Sequence, residues 1–180
     1  MKIAITGHTN GLGEELAKQL FAHEIVGLSR STNTTIKNTS DIVSKVVGCD
    51  VFINNASVDF QQAHLLQEVF NKWKDTNKTI INICSRSKYP NLSKGYLYSA
   101  SKAALSHIAN NLRFLSDKKC RIIDINVGLL DSELPSLSFR EAAEIIVWCL
   151  NQPEHIEIGE ISFWHKTPYN LISKMKDELK

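Results

Sequence analysis

Three short segments carry residue types that could do chemistry. Tyr98-Ser99-Ala100-Ser101-Lys102 sets a phenol and an amine four positions apart. On a helix that spacing puts both side chains on one face. A lysine cation beside a phenol favours phenolate and lowers the tyrosine pKa from about 10. Tyr98 would then be a usable acid or base near neutrality. Taken alone, such a pair is also a common feature of amphipathic helices. Ile80-Ile81-Asn82-Ile83-Cys84-Ser85 is an apolar run that ends in a hydroxyl. Open α/β sheets bind ligands at the C-terminal ends of strands, although a serine there is also an ordinary turn residue. Thr6-Gly7-His8-Thr9-Asn10-Gly11-Leu12-Gly13 is a glycine-rich turn. It lets a pyrophosphate sit against backbone N–H groups, with the positive end of the next helix aimed at the anion. The spacing is Gly-x3-Gly-x-Gly, and no Gly-Lys-Ser/Thr follows, so the turn is not a P-loop.

These segments need elements to hold them, and the pattern supplies an alternation. Strands are expected at Lys2–Thr6, Ile25–Leu28, Asp50–Ile53, Thr79–Ile83, Arg121–Val127 and Ile156–Phe163. Helices are expected at Glu14–Ala22, Asp41–Val47, Gln61–Lys74, Tyr96–Leu115, Phe139–Leu150 and Asn170–Leu179. Ser138 and Glu141 stand in capping-box positions at the fifth of these. Ser29–Ser40 and Ser93–Gly95 read as loops. Strand and helix alternating throughout imply a Rossmann-type, doubly wound parallel sheet with helices on both faces.

The 180 residues suit one domain, spanning 1–180. Apolar residues are 43% and charged residues 22%, which excludes a disordered tail or a fibre. A net charge of +2 gives no pull toward nucleic acid or acidic membranes. There is no membrane span and no secretory h-region. The four cysteines, at 49, 84, 120 and 149, form no CxxC pair and read as reduced thiols of a cytoplasmic protein. No Cys or His pair has ligand spacing, so no metal site is expected.

Taken in order, the motifs resemble the short-chain dehydrogenase/reductase family, in its ordinary branch. TGHTNGLG matches the TGxxxGxG cofactor turn, and Asn54-Asn55-Ala56-Ser57 matches NNAG with Ser for the last Gly. Ser85 stands 13 positions before Tyr98, as the family's catalytic Ser precedes its Tyr, and Tyr98 and Lys102 fill YxxxK. Asn126-Val127-Gly128-Leu129-Leu130-Asp131-Ser132 looks like NPGxxxT, with Val for Pro and Ser for Thr. The match runs to about residue 165.

The resemblance implies a catalytic set of Ser85, Tyr98 and Lys102. Tyr98 would exchange a proton with the substrate oxygen, Lys102 would hold the nicotinamide ribose, and Ser85 would hydrogen-bond the carbonyl or alcohol. Gly7, Thr9, Asn10, Gly11, Leu12 and Gly13 would line the pyrophosphate. Asn54 and Ala56 would flank the adenosine ribose, with Asn38 and Thr39 beside the adenine. Gly128, Leu130 and Ser132 would approach the nicotinamide amide.

The end of the second strand bears on the cofactor. An NAD enzyme needs an acidic residue there to accept two ribose hydroxyls. Gly27-Leu28-Ser29-Arg30-Ser31 has none, and Arg30 can pair with a 2′-phosphate while Ser31 adds a hydroxyl. NADP(H) is therefore the expected cofactor, and Arg30 is otherwise an exposed loop cation. The function implied is an oxidoreductase interconverting a small carbonyl and its alcohol. A cofactor-binding regulatory or scaffold protein of the same fold is the alternative, and a sugar-nucleotide epimerase a weaker third.

Three departures from the family stand out. No counterpart of its fourth catalytic Asn is evident before Ser85. The loop after the second strand is compressed, with a rudimentary strand expected around Thr35–Lys37. Only Glu133–Leu137 separates Ser132 from the next helix, which leaves no room for a helical lid. Finally, apolar residues spread around the Tyr96–Leu115 helix, Ala109 and Leu112 among them, and Leu65, Leu66, Phe70 and Trp73 precede it. A single stripe needs fewer, so a homo-oligomer, a dimer or tetramer, is expected through this helix.

Overall fold

Alternate residues along each strand face opposite ways, and both faces of this sheet are apolar. In the computed structural model, which describes residues 1–90, 95–115 and 117–178, this produces two cores on either side of one sheet. The strands are β1 (Lys2–Thr6), β2 (Glu24–Leu28), β3 (Val51–Asn54), β4 (Thr79–Ser85), β5 (Arg121–Val127) and β6 (Glu160–Phe163). All pair in parallel, in the order β2-β1-β3-β4-β5-β6. The helices are α1 (Gly11–Gln19), α2 (Thr39–Val46), α3 (Gln61–Trp73), α4 (Tyr96–Arg113), α5 (Phe139–Leu150) and α6 (Tyr169–Glu178). Ile3, Ile5, Ile53, Ile81 and Ile125 meet α1 and α5 on one face. Ala4, Phe52, Ile80 and Ile122 meet α2, α3 and α4 on the other. The fold class expected from the alternation is the one observed.

Several bounds differ from the sequence expectation for local reasons. Helix α1 starts at Gly11, so the third glycine of the turn is already helical. Strand β4 continues to Ser85, because Cys84 and Ser85 pair with Asn126 and Val127. Strand β6 begins only at Glu160, and Ile156 instead closes a turn on Pro153. The strand expected around Thr35–Lys37 is not formed. Ser29 and Thr32 make a reciprocal capping box around a short 3-10 turn, Arg30–Thr32, and Asn33 follows at φ 54°. That turn sends the chain away from the sheet, which leaves β2 as its edge strand. Residues 93 and 94 of the expected Ser93–Gly95 loop lie outside the described residues.

The capping box at α5 forms as expected. Glu141 N donates to Ser138 Oγ at 3.1 Å, and Ser138 N donates to Glu141 Oε2 at 2.8 Å. The four cysteines are buried free thiols. No helix among the described residues is long and apolar enough to cross a membrane.

The apolar excess that suggested an interface is largely consumed inside the domain. Ala109 is 0% exposed and belongs to the core with Leu65, Leu66, Phe70 and Trp73, and Leu112 packs against that core. Ala109 has no surface left to offer a second chain, and Leu112 is partly covered. The outward face of α4 instead carries Leu97, Ala100, Ala103 and His107.

Candidate active site

Parallel order reverses direction between β1 and β3, and the crevice at such a switch point is where open α/β sheets bind nucleotides. The glycine turn sits there. Gly7 N donates to Leu28 O at 2.8 Å, and the chain passes through positive φ at Gly7 and Gly11. A Cβ on Gly13 would lie 2.2 Å from Gly7 O, so only glycine lets the turn close on itself. Asn10, the N-cap of α1, makes no side-chain cap bond. The first N–H groups of the helix therefore face the crevice without a side-chain acceptor, as an anion site requires. Asn55 and Ala56 brace the turn from β3. Asn55 N and Ala56 N each donate to Thr6 Oγ1 at 2.9 Å, and Asn55 Nδ2 donates to Thr6 O at 2.9 Å. Leu12 is buried beneath the turn, and Thr9 is exposed at its tip.

Arg30 and Ser31 follow β2, whose last residue pairs with Thr6, so both lie next to the glycine turn. Both are exposed, and Ser31 Oγ is 2.7 Å from Ser29 Oγ. Asn38 is engaged locally as the N-cap of α2, where it accepts from Asp41 N at 3.3 Å. Thr39 Oγ1 donates to Gln61 Oε1 at 3.4 Å. Asn54 is completely buried, and its Nδ2 donates to Gln62 O and Asn82 Oδ1. Its side chain is bonded within the interior.

Ser85 and Tyr98 do come together. Ser87 N and Ser87 Oγ donate to Ser85 Oγ at 3.1 and 2.9 Å. These bonds occupy the acceptor side of the Ser85 hydroxyl and leave its proton free to donate. The Tyr98 hydroxyl interacts with both Ser85 and Ser87. Lys102 Nζ lies 5.4 Å from the centre of the Tyr98 ring.

The ionisation differs from the sequence expectation. Tyr98 is raised above its ordinary pKa, with burial the largest cause and the Ser85 hydrogen bond opposing it. Lys102 is 3% exposed, and its ammonium donates inward to Gln62 Oε1 and to Ile83 O at 2.9 Å. Burial lowers Lys102 itself to about 8. The cation is thus turned toward the interior rather than toward the phenol oxygen.

Gln62 was not among the residues that the sequence singled out. It is 3% exposed and uses both ends of its amide. Nε2 donates to Asn54 O at 2.7 Å and Ile83 O at 3.2 Å, while Oε1 accepts from Lys102. Its position on α3 is in the segment where the fourth Asn was sought. Behind it runs a polar row that is buried at Asn54, Asn82 and Asp124 and ends at the exposed Glu160. Asn54, Asn82, Asp124 and Glu160 are register partners across β3, β4, β5 and β6. Asn82 Nδ2 donates to Asp124 Oδ1 at 2.9 Å, and Ser106 on α4 donates to Asp124 Oδ2 at 3.1 Å. Burial raises Asp124 to about 6 against these bonds and the Arg113 charge. Lys88 spans Ser106 and Glu160, at 2.8 and 2.9 Å.

The segment after β5 is compact. Gly128 N donates to Phe163 O at 3.0 Å, and Leu137 N donates to Leu129 O at 3.0 Å. Leu130 bridges to Leu137, and Leu134 N donates to Ser132 Oγ at 3.2 Å. The loop closes on itself with no helix between Gly128 and Ser138. The expected absence of a helical lid therefore holds.

Sheet order, glycine turn and the Tyr98/Lys102 helix together define the fold of the short-chain dehydrogenases/reductases. The chain resembles solved members over nearly its whole length. Serine dehydrogenase from Escherichia coli superposes with a TM-score of 0.76 at 19% identity, over 91% of this chain and 97% of that one. A short-chain dehydrogenase from Burkholderia cenocepacia in complex with NADP gives 0.74 at 18%, over 99% and 92%. A 3-ketoacyl-(acyl-carrier-protein) reductase from Brucella melitensis, complexed with NADH, gives 0.73 at 17%, over 89% and 96%. In sequence, an uncharacterized oxidoreductase of Staphylococcus saprophyticus is 33% identical over 93 residues, 46% of this chain and 40% of that protein. One from Staphylococcus epidermidis is 23% identical over 89% of this chain and 96% of its own length. No family model matches the chain.

Replacing Gln62 tests how the lysine is held. Lys102 has a folded pKa of about 8, below its ordinary 10.5, so its charged form costs stability in the fold. That cost is present below pH 8 and fades as pH rises from 8 toward 10.5. Gln62→Leu should lose about 3–5 kcal/mol at pH 7, because it strands a buried charge. By urea unfolding, the gap to wild type should narrow at pH 9.5, where Lys102 is neutral. An unchanged gap at the two pH values would count against this account.

Proposed function

We propose that the protein is an NADP(H)-dependent oxidoreductase that interconverts a carbonyl and an alcohol on a small substrate. The observation that carries this reading is the meeting of Tyr98, Ser85 and Ser87 at the C-terminal end of β4, with Lys102 beside the Tyr98 ring. The glycine turn, the uncapped start of α1 and the bracing by Asn55 and Ala56 fit a dinucleotide. Gly7, Gly11, Leu12 and Gly13 would hold its pyrophosphate, Arg30 and Ser31 its 2′-phosphate, and Gly128 and Leu130 its nicotinamide end. When bound, that cofactor supplies or accepts the hydride.

The chain's own residues handle the proton. The Tyr98 phenol, raised further above its ordinary pKa, is protonated at neutral pH, which suits donation to a carbonyl oxygen. Ser85, its acceptor side filled by Ser87, donates a second hydrogen bond to the same oxygen. Lys102, still cationic at pH 7, favours the phenolate left behind. Gln62 keeps the ammonium at its station on α4, in the place left by the missing Asn. Arg30 supports NADP(H) over NAD(H), since the end of β2 offers a cation and no carboxylate. Leu97, Ala100 and Ala103 on α4 support pairing with a second copy.

Tyr98→Phe keeps the ring and removes the ionisable oxygen. It should reduce turnover of any confirmed carbonyl at least ~100-fold, with NADPH affinity unchanged in a fluorescence titration. Retained turnover would contradict the assignment. Arg30→Ala should weaken NADPH about 10-fold or more and leave NADH unaffected. Equal affinity of the wild type for the two cofactors would refute the preference. Light scattering at micromolar concentration should give a dimer or larger, and Ala103→Arg, on the exposed face, should return a folded monomer.

A further inference from the structure

Of the two basic residues in the turn Arg86–Lys88, one is used inside the fold and one is not. Lys88 is committed to Ser106 and Glu160 inside the fold. Arg86, directly after Ser85, takes part in none of the ion pairs among the described residues. Its Nε is buried without a hydrogen-bond partner. The guanidinium carbon lies over the Trp164 ring, 3.5 Å from its centre. A cation–π contact uses none of the N–H donors, which remain to be satisfied by something else.

The placement is built by three neighbouring strand ends. Ser85 is in register with Val127, and Val127 with Phe163. Arg86, Gly128 and Trp164 are the next residues of those three strands, at the sheet edge where ligands bind. A Cβ on Gly128 would come within 2.6 Å of Trp164 Cβ, so a glycine there is what lets Trp164 close in.

We propose that Arg86, stacked on Trp164 beside Ser85 and Tyr98, anchors an anionic group of the substrate, a carboxylate or a phosphate ester. A planar, weakly hydrated guanidinium held on an aromatic face matches the oxygens of either group. The anchor also supplies binding that an open, lidless cleft does not obtain by enclosure. This inference rests on the oxidoreductase reading for its turnover test, and stands apart from it in a binding test.

The turnover test compares matched pairs under NADPH: pyruvate, acetoacetate and levulinate against their methyl esters, and dihydroxyacetone phosphate against dihydroxyacetone. The wild type should show a KM at least ~10-fold lower for the anionic member. Arg86→Gln should erase that preference through KM, with kcat for the neutral member and NADPH affinity unchanged. Arg86→Lys should restore only part of it, because an ammonium lacks the fork. Preference within the acid pairs or within the phosphate pair identifies the group. In parallel, the same anions are titrated by calorimetry into wild type and Arg86→Gln loaded with NADP. Binding that disappears in the variant supports the anchor even if nothing is reduced, an outcome that would count against the oxidoreductase reading alone. Equal use of acids and esters by the wild type, or equal anion binding by wild type and Arg86→Gln, would overturn the proposal.

Discussion

A buried ammonium has to be hydrogen-bonded or neutralised, and the architecture around Lys102 follows from that constraint. Its two acceptors are Gln62 Oε1 and Ile83 O, both interior. Gln62 can present that oxygen only because Asn54 O and Ile83 O fix its other end. Asn54 in turn is tied to Asn82, and Asn82 to Asp124. The row ends at Ser106, Lys88 and Glu160, near the turn that presents Ser85, Arg86 and Ser87. One polar layer inside an apolar sandwich therefore sets both sides of the candidate site. It is costly to break among Asn54, Gln62, Asn82 and Asp124, since each broken bond there leaves a buried group unpaired.

The proposed proton chemistry fits the same arrangement. Burial raises Tyr98 above its ordinary pKa, and the groups that meet its hydroxyl are serines. This favours an acid poised for donation over a preformed phenolate. The ammonium sits beside the ring, where it can stabilise charge once that charge develops. At the other end of the crevice the logic is steric. The turn from Gly7 to Gly13 is packed so closely that backbone and helix end are the surface offered to a ligand.

Much of this could be read from residue order. The limits of β5 and α5 agree residue for residue with the hydrophobic pattern and the Ser138 cap, because both elements are bounded by strong local signals. The glycine turn, Ser85, Tyr98 and Lys102 were recognisable because their chemistry depends on type and spacing within short segments. What escaped depends on register between distant strands. Asn82 is a lone polar residue between isoleucines, Asp124 shares its strand with Asn126, and nothing local says that they line up with Asn54. Gln62, near the start of α3, looks like ordinary polar helix surface until Asn54 and Lys102 are placed beside it. Ala109 shows the opposite error: helical periodicity counted its apolar neighbours, but not how much of the circumference α3 and the sheet would cover.

The most direct test is an NMR titration of the Lys102 side-chain nitrogen in the cofactor-free protein, assigned by comparison with Lys102→Arg. The account predicts a midpoint near 8, with the ammonium protons protected from exchange below it. A midpoint at the ordinary lysine value, about 10.4, with rapidly exchanging protons, would mean that the ammonium is solvated and that the interior polar row does not hold it.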